Sequence, residues 1–124
     1  MANEGMSPQL QDQIQRLQQI RQQVQMIAQQ RQQIELQLKE TTEALKEIEQ
    51  TGDKTPIYKS VGAILIKTKG KNEIKKELTT AQESLDLRKK SLEKQEGLSR
   101  EKLNEIQSKV ENALNLAGKD ASDD

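Results

Sequence analysis

The sequence has no cysteine, histidine, tryptophan or phenylalanine, and Tyr58 is its one aromatic residue. Without cysteine there are no disulfides, thiol nucleophiles or thiolate metal sites, and without histidine the commonest general base and zinc ligand is gone. Zinc, haem and catalytic-triad chemistry are excluded, and no cofactor is expected. A conventional globular core is excluded as well. Cores of this length rest on several large aromatics, each burying roughly 150–250 Å², whereas this chain is 31% hydrophobic and 32% charged. Long apolar runs are also missing: none approaches the roughly 20 residues of a membrane span, and residues 1–5 show neither a basic nor an apolar leader segment. The expectation is a cytoplasmic chain that does not meet the membrane.

Charge of one sign is absent too, since 20 basic residues balance 20 acidic ones, so nothing global favours nucleic acid. The distribution is less even. Residues 54–72 hold Lys54, Lys59, Lys67, Lys69 and Lys71 without an acid, while the C-terminus is acidic. Lysines beside strands discourage edge-to-edge aggregation; a basic docking surface is the alternative. Gly70-Lys71-Asn72 lacks the upstream glycine spacing of a phosphate loop, and the abundant carboxylates decorate helix faces, so an enzyme is not expected.

What the chain does have is two heptad-patterned arms. In the first, Leu10, Leu17, Val24, Arg31, Leu38 and Leu45 recur at a strict seven, followed at three positions by Gln13, Ile20, Ile27, Ile34, Thr41 and Ile48. That repeat specifies a left-handed two-helix seam. Glutamine crowds the outer positions; it is a good helix former, so the segment reads as helix rather than low-complexity coil. The second arm starts near Asn72, a plausible N-cap, with Leu78, Leu85, Leu92, Ser99, Ile106 and Ala113 spaced by seven. Its second stripe moves from Ile74, Ala81, Arg88 and Gln95 to Leu103, Val110 and Ala117, with the shift expected within residues 93–102 around Gly97. If the arms fold back on each other, seam partners should have numbers summing to about 123: Leu45 with Leu78, Leu38 with Leu85, Leu17 with Ile106, Leu10 with Ala113. On this register Arg31 and Arg88 either share Glu35 or extend their heads into water. Each arm, at a rise of 1.5 Å per residue, would be roughly 60 Å or longer.

Between the arms lies an island of a different period: Ile57, Tyr58, Lys59, Ser60, Val61, Gly62, Ala63, Ile64, Leu65, Ile66, Lys67 and Thr68. It reads as two strands joined by a tight turn around Val61-Gly62. A lone two-stranded hairpin is marginal in water, and Ile57, Ile64 and Ile66 would stay exposed unless hairpins of several subunits combine into a shared sheet or barrel. The fold class is therefore mainly α: a long antiparallel two-helix coiled coil with one central β-hairpin that joins an intersubunit sheet or barrel. We expect a single domain over residues 1–124, with helices at 9–50 and 72–117, the hairpin base at 51–71 and an acidic tail at 118–124.

This layout, with the hydrophobic-aromatic-basic opening Ile57-Tyr58-Lys59, the turn Gly62 and the apolar run ending in Lys67-Thr68 between two arms, resembles the prefoldin family in its archaeal beta type. Alpha-type members carry two hairpins, and residues 51–71 have room for one. The resemblance implies an ATP-independent chaperone, a hexamer of two alpha and four beta subunits, with a fold in which the central β-hairpin joins an intersubunit β-barrel, a double barrel that forms the base. Its partners would be the alpha subunit, non-native polypeptide clients and a group II chaperonin. The residues expected at the oligomerisation hairpin are Ile57, Tyr58, Val61, Gly62, Ile64, Leu65 and Ile66. Client contacts are expected at the arm ends, from Met6, Leu10, Ile14, Leu17, Val110, Leu114 and Leu116, where flexible aliphatic side chains can adapt to many shapes. The rival reading is a structural or tethering coiled coil, which has no use for the island. The seam register makes a first prediction. Cysteines at Leu38→Cys and Leu85→Cys should cross-link within one chain on oxidation; bridges found only between chains would contradict antiparallel pairing.

Overall fold

In the computed structural model, residues 7–122 are described. Helix α1 (Pro8–Gln50) and helix α2 (Lys71–Ser122) flank an antiparallel hairpin of β1 (Tyr58–Val61) and β2 (Ile64–Lys67). The two helices run 43 and 52 residues. α2 continues past the Ala117 bound expected from its stripe.

Helix α1 begins with a local signal that seam counting does not use. Ser7 is its N-cap, with Oγ accepting from Leu10 N–H at 3.1 Å, and Pro8 fills the first helical position, where a missing N–H costs nothing. α2 starts one residue before the expected Asn72. The Ile74 N–H reaches Gly70 C=O at 3.3 Å, which makes Gly70 the cap, and its φ of 122° suits glycine. Glu73 reinforces this start by accepting from Lys69 N–H at 2.8 Å and placing a carboxylate in the first turn.

The last turn of α1 contains no basic residue of its own. Lys71 serves that end from α2. Its Nζ donates to Thr51 C=O at 2.9 Å and to Glu49 C=O at 3.2 Å, and it lies 3.8 Å from Asp53 Oδ1 with only 19% of the side chain exposed. A cation on the final carbonyls satisfies orphan acceptors and opposes the negative end of the helix dipole. Lys75 approaches Glu49 at 3.9 Å, and Lys59 of β1 pairs with Glu77 of α2 at 3.2 Å. The lysines of the acid-free stretch that these contacts include thus tie hairpin and helices together.

The chain divides into two units, one drawn from Met1–Gln30 and Leu92–Asp124 and the other from Arg31–Ser91. In the first, Leu10, Leu17 and Val110 form a buried cluster against which Ile14, Leu103, Ile106 and Ala113 pack. In the second, Gln82 Nε2 donates to Thr42 Oγ1 at 3.0 Å. Both follow the expected antiparallel register. Along α1 every expected seam position is buried or half-buried.

α2 departs from expectation at its shift. Arg88 and Gln95 are exposed, and Lys89 and Glu96 turn inward instead. The inward positions run Ile74, Leu78, Ala81, Leu85, Lys89, Leu92, Glu96, Ser99, Leu103, with two successive steps of four at Ala81–Leu85–Lys89. This four-residue stutter locally unwinds the coil and lies before residues 93–102, because Leu103 and Val110 set the phase that the helix carries back to Leu85. Glu96 is 9% exposed and accepts from Arg100 Nη2 at 3.1 Å, which matches the rule that buried charges are paired. Glu35 pairs with Arg31 at 2.9 Å on the same helix, while Arg88 faces solvent.

These contacts set two expectations for stability. Gly97 lies inside α2 with open space, free of neighbouring atoms to 4 Å, where a Cβ would stand, so Gly97→Ala should stabilise the chain by about 0.5–1 kcal/mol; a lower thermal midpoint would show that the site needs glycine. Lys71→Met keeps the chain length but removes the cation from the α1 carbonyls, and should cost about 1 kcal/mol. An unchanged midpoint would show that those carbonyls are equally well served by water.

Candidate functional site

The hairpin is built by a two-residue turn. Val61 pairs with Ile64, leaving Gly62 and Ala63 as the loop; Gly62 has φ 59°, and no other residue of the turn has positive φ. Positive φ at the first loop position alone is the type II′ pattern, whose twist matches that of the strands. The turn is thus one residue later than Val61-Gly62. Past the strands, Thr68 donates to Ile57 C=O from both N–H at 2.9 Å and Oγ1 at 2.8 Å, closing the open end.

Register sorts the side chains onto two faces. Lys59 opposite Ile66 and Val61 opposite Ile64 share one face; Tyr58 opposite Lys67 and Ser60 opposite Leu65 share the other. Both faces are apolar and open. Ile64 is 60% exposed, Leu65 72% and Tyr58 57%, with Val61 and Ile66 at 47%. Ile57 differs from expectation: it is half-buried, being part of the closure with Thr68. A sheet with solvated outer strands normally alternates apolar and polar, and this one does not. Burial of those side chains is worth roughly 1.5–3 kcal/mol each, and a sheet of two strands lacks the layers to realise it.

The residues expected at the arm ends separate into two groups. Leu10, Leu17 and Val110 are 5–8% exposed and make the seam core, and Ile14 packs on that core although it lies off the heptad. The sequence reads Ile14 as a client contact; its step of four from Leu10 places it instead beside Val110 in an antiparallel pair, where it is half-buried. Leu114 and Leu116 remain exposed, at 45% and 64%. Met6 lies outside the described residues.

A further set stands exposed that the sequence-based expectations did not include: Met26, Leu36, Leu87 and Leu98 are all more than half exposed. Their signal was available, since each falls off the seam positions. Among the described residues no helix is long and apolar enough to cross a membrane.

Comparison with known proteins agrees with this architecture. A family model described as "Prefoldin subunit" matches residues 11–116. The chain is 43% identical over 109 residues to prefoldin subunit beta of Archaeoglobus fulgidus, covering 88% of this chain and 93% of that protein. It is 37% identical over 111 residues to prefoldin subunit beta of Sulfurisphaera tokodaii, covering 90% and 88%. Among solved structures, the prefoldin beta subunit from Thermococcus strain KS-1 superposes with a TM-score of 0.79 at 37% identity, over 90% of this chain and 96% of that one. With one hairpin between two long helices, and with these relatives matched over most of its length, the chain belongs to the prefoldin family of chaperone subunits, in its beta type.

Proposed function

We propose that the chain is the beta-type component of a cytoplasmic, ATP-independent holding chaperone, a hexamer with two alpha and four beta subunits. Its hairpins close into a shared barrel, its arm ends capture non-native polypeptides before they aggregate, and the captured clients pass to a group II chaperonin. The observation that carries this reading is the hairpin, apolar on both faces, with Tyr58, Val61, Ile64, Leu65 and Ile66 left exposed among the described residues. A tether or spacer has no use for such a surface, whereas a barrel of several hairpins buries it and removes its edges.

Leu114 and Leu116 support capture at the arm ends, as exposed aliphatics beside the packed cluster of Leu10, Ile14, Leu17 and Val110. In this division of labour the cluster keeps the end of the seam closed and the exposed pair meets the client. Each contact is weak, so several arms acting together supply the affinity.

Reconstitution with an alpha subunit tests both parts. Ile64→Asp with Ile66→Asp should reduce the hexamer to smaller species while helical circular dichroism persists, because charges in a shared barrel are costly and the arms do not depend on it; an unchanged mass would refute assembly through the hairpin. Leu114→Ser with Leu116→Ser in every beta copy should keep the hexamer mass and lose most suppression of aggregation of a denatured test protein. Full suppression by that variant would refute capture through these residues.

A further inference from the structure

The glutamines of the first helix have a place in this scheme that the seam does not give them. Met26 is 60% exposed, beside a seam in which Val24 and Ile27 are buried. Its neighbours one turn away in each direction are Gln22, Gln23, Gln29 and Gln30, all exposed. Residues three and four apart are surface neighbours on a helix, so one thioether side chain stands inside a ring of uncharged amides.

A second apolar residue lies beside it. Gln19 and Glu105 line a common groove with Arg16, Ile20, Lys102 and Ile106. One heptad on from Gln19 is Met26, and one heptad back from Glu105 is Leu98, so antiparallel pairing sets Met26 and Leu98 at one level on one side of their unit. Leu98 is 53% exposed, and Gly97 next to it leaves open space.

The chemistry of this patch selects among occupants. A second helix, from another copy of this chain or elsewhere, would need apolar residues repeating at heptad spacing, and one heptad to either side of Met26 stand Gln19 and Gln33. A folded partner needs roughly 800 Å² on each side, far more than two aliphatic side chains and a ring of amides provide. A charged ligand finds no formal charge in the ring around Met26, and beside Leu98 the neighbours Lys94, Glu101 and Lys102 carry both signs, which favours no one charge. An extended, non-native polypeptide is different: its backbone N–H and C=O groups are not paired internally, whereas a folded protein has already satisfied its own. Each glutamine offers both an acceptor and donors, so it can pair with a backbone of any sequence, and Met26 with Leu98 accepts whichever apolar side chain lies nearby.

We propose that Met26, Leu98 and the ring of Gln22, Gln23, Gln29 and Gln30 form a binding surface for extended backbone segments of non-native polypeptides, separate from Leu114 and Leu116. This rests on the holding function proposed above and names what that function recognises: exposed backbone as well as apolar side chains.

The test uses the reconstituted hexamer with reduced, carboxymethylated α-lactalbumin as a permanently unfolded probe and native α-lactalbumin as its folded control. With Met26→p-benzoylphenylalanine, illumination should capture the unfolded probe and not the native one. The variant with Gln22→Ala, Gln23→Ala, Gln29→Ala and Gln30→Ala keeps the helix, since alanine is the best helix former, and should weaken binding of the unfolded probe by about fivefold or more. If apolar surface alone mattered, the same variant would bind equally or more tightly, and that result would overturn the proposal. Equal capture of native and unfolded probe at Met26 would overturn it too. The same photoreactive residue at Leu116 separates the two readings: capture at Leu116 and none at Met26 defeats this inference alone, whereas capture at neither defeats client holding as well.

Discussion

A two-stranded sheet that is apolar on both faces cannot be at rest in water by itself. Tyr58 and Leu65 stand open on one face, and Val61, Ile64 and Ile66 on the other, while an isolated hairpin is at best marginally stable. The fold meets this constraint in two steps. Locally, the type II′ turn at Gly62, the closure of Thr68 on Ile57 and the pair of Lys59 with Glu77 hold the strands in shape. In the function proposed above, burial of the faces is left to other subunits, so that assembly would answer a need already present in the sequence.

The arms are governed by the opposite economy of material. Two helices share one seam, and among the described residues none of the large side chains is completely buried. Stability is spread thinly over many half-buried positions, so polar residues such as Gln13, Thr41, Ser99 and the paired Glu96 can occupy the seam near water without the full cost of an interior charge. That tolerance leaves the outer surface free to carry function. The holding function proposed above calls for dispersed apolar groups on a polar ground, and Met26, Leu98 and Leu116, each more than half exposed amid mostly polar neighbours, would supply them.

Much of this was legible in the residues, because a strict heptad and a period-two island are long, repetitive signals. The α1 seam, the antiparallel register and the single hairpin follow from them. The parts that escaped are those set by single side chains or by competition between phases. The N-cap at Ser7-Pro8 was readable but lies outside the heptad. The cap of α2 fell to Gly70 rather than Asn72 because the backbone there has positive φ, which sequence does not display. The stutter lies at Leu85–Lys89 because Leu103 and Val110 outweigh Arg88 and Gln95 in choosing the helix phase. At the arm ends, apolar character alone did not distinguish Leu10, Leu17 and Val110, which are consumed by the core, from Leu114 and Leu116, which are not. The lysine-rich stretch looked like a surface feature, yet Lys71 acts inside the fold on carbonyls of the other helix, a contact that no linear pattern announces.

Amide hydrogen exchange over residues 57–68, in the isolated chain and in the hexamer reconstituted with an alpha subunit, tests the central claim most directly. The account predicts fast exchange of the outward-facing strand amides in the isolated chain and strong protection of the same amides in the assembly, since barrel closure pairs the strand edges. Exchange equally fast in both states would contradict it, and would place the assembly contacts somewhere other than the hairpin.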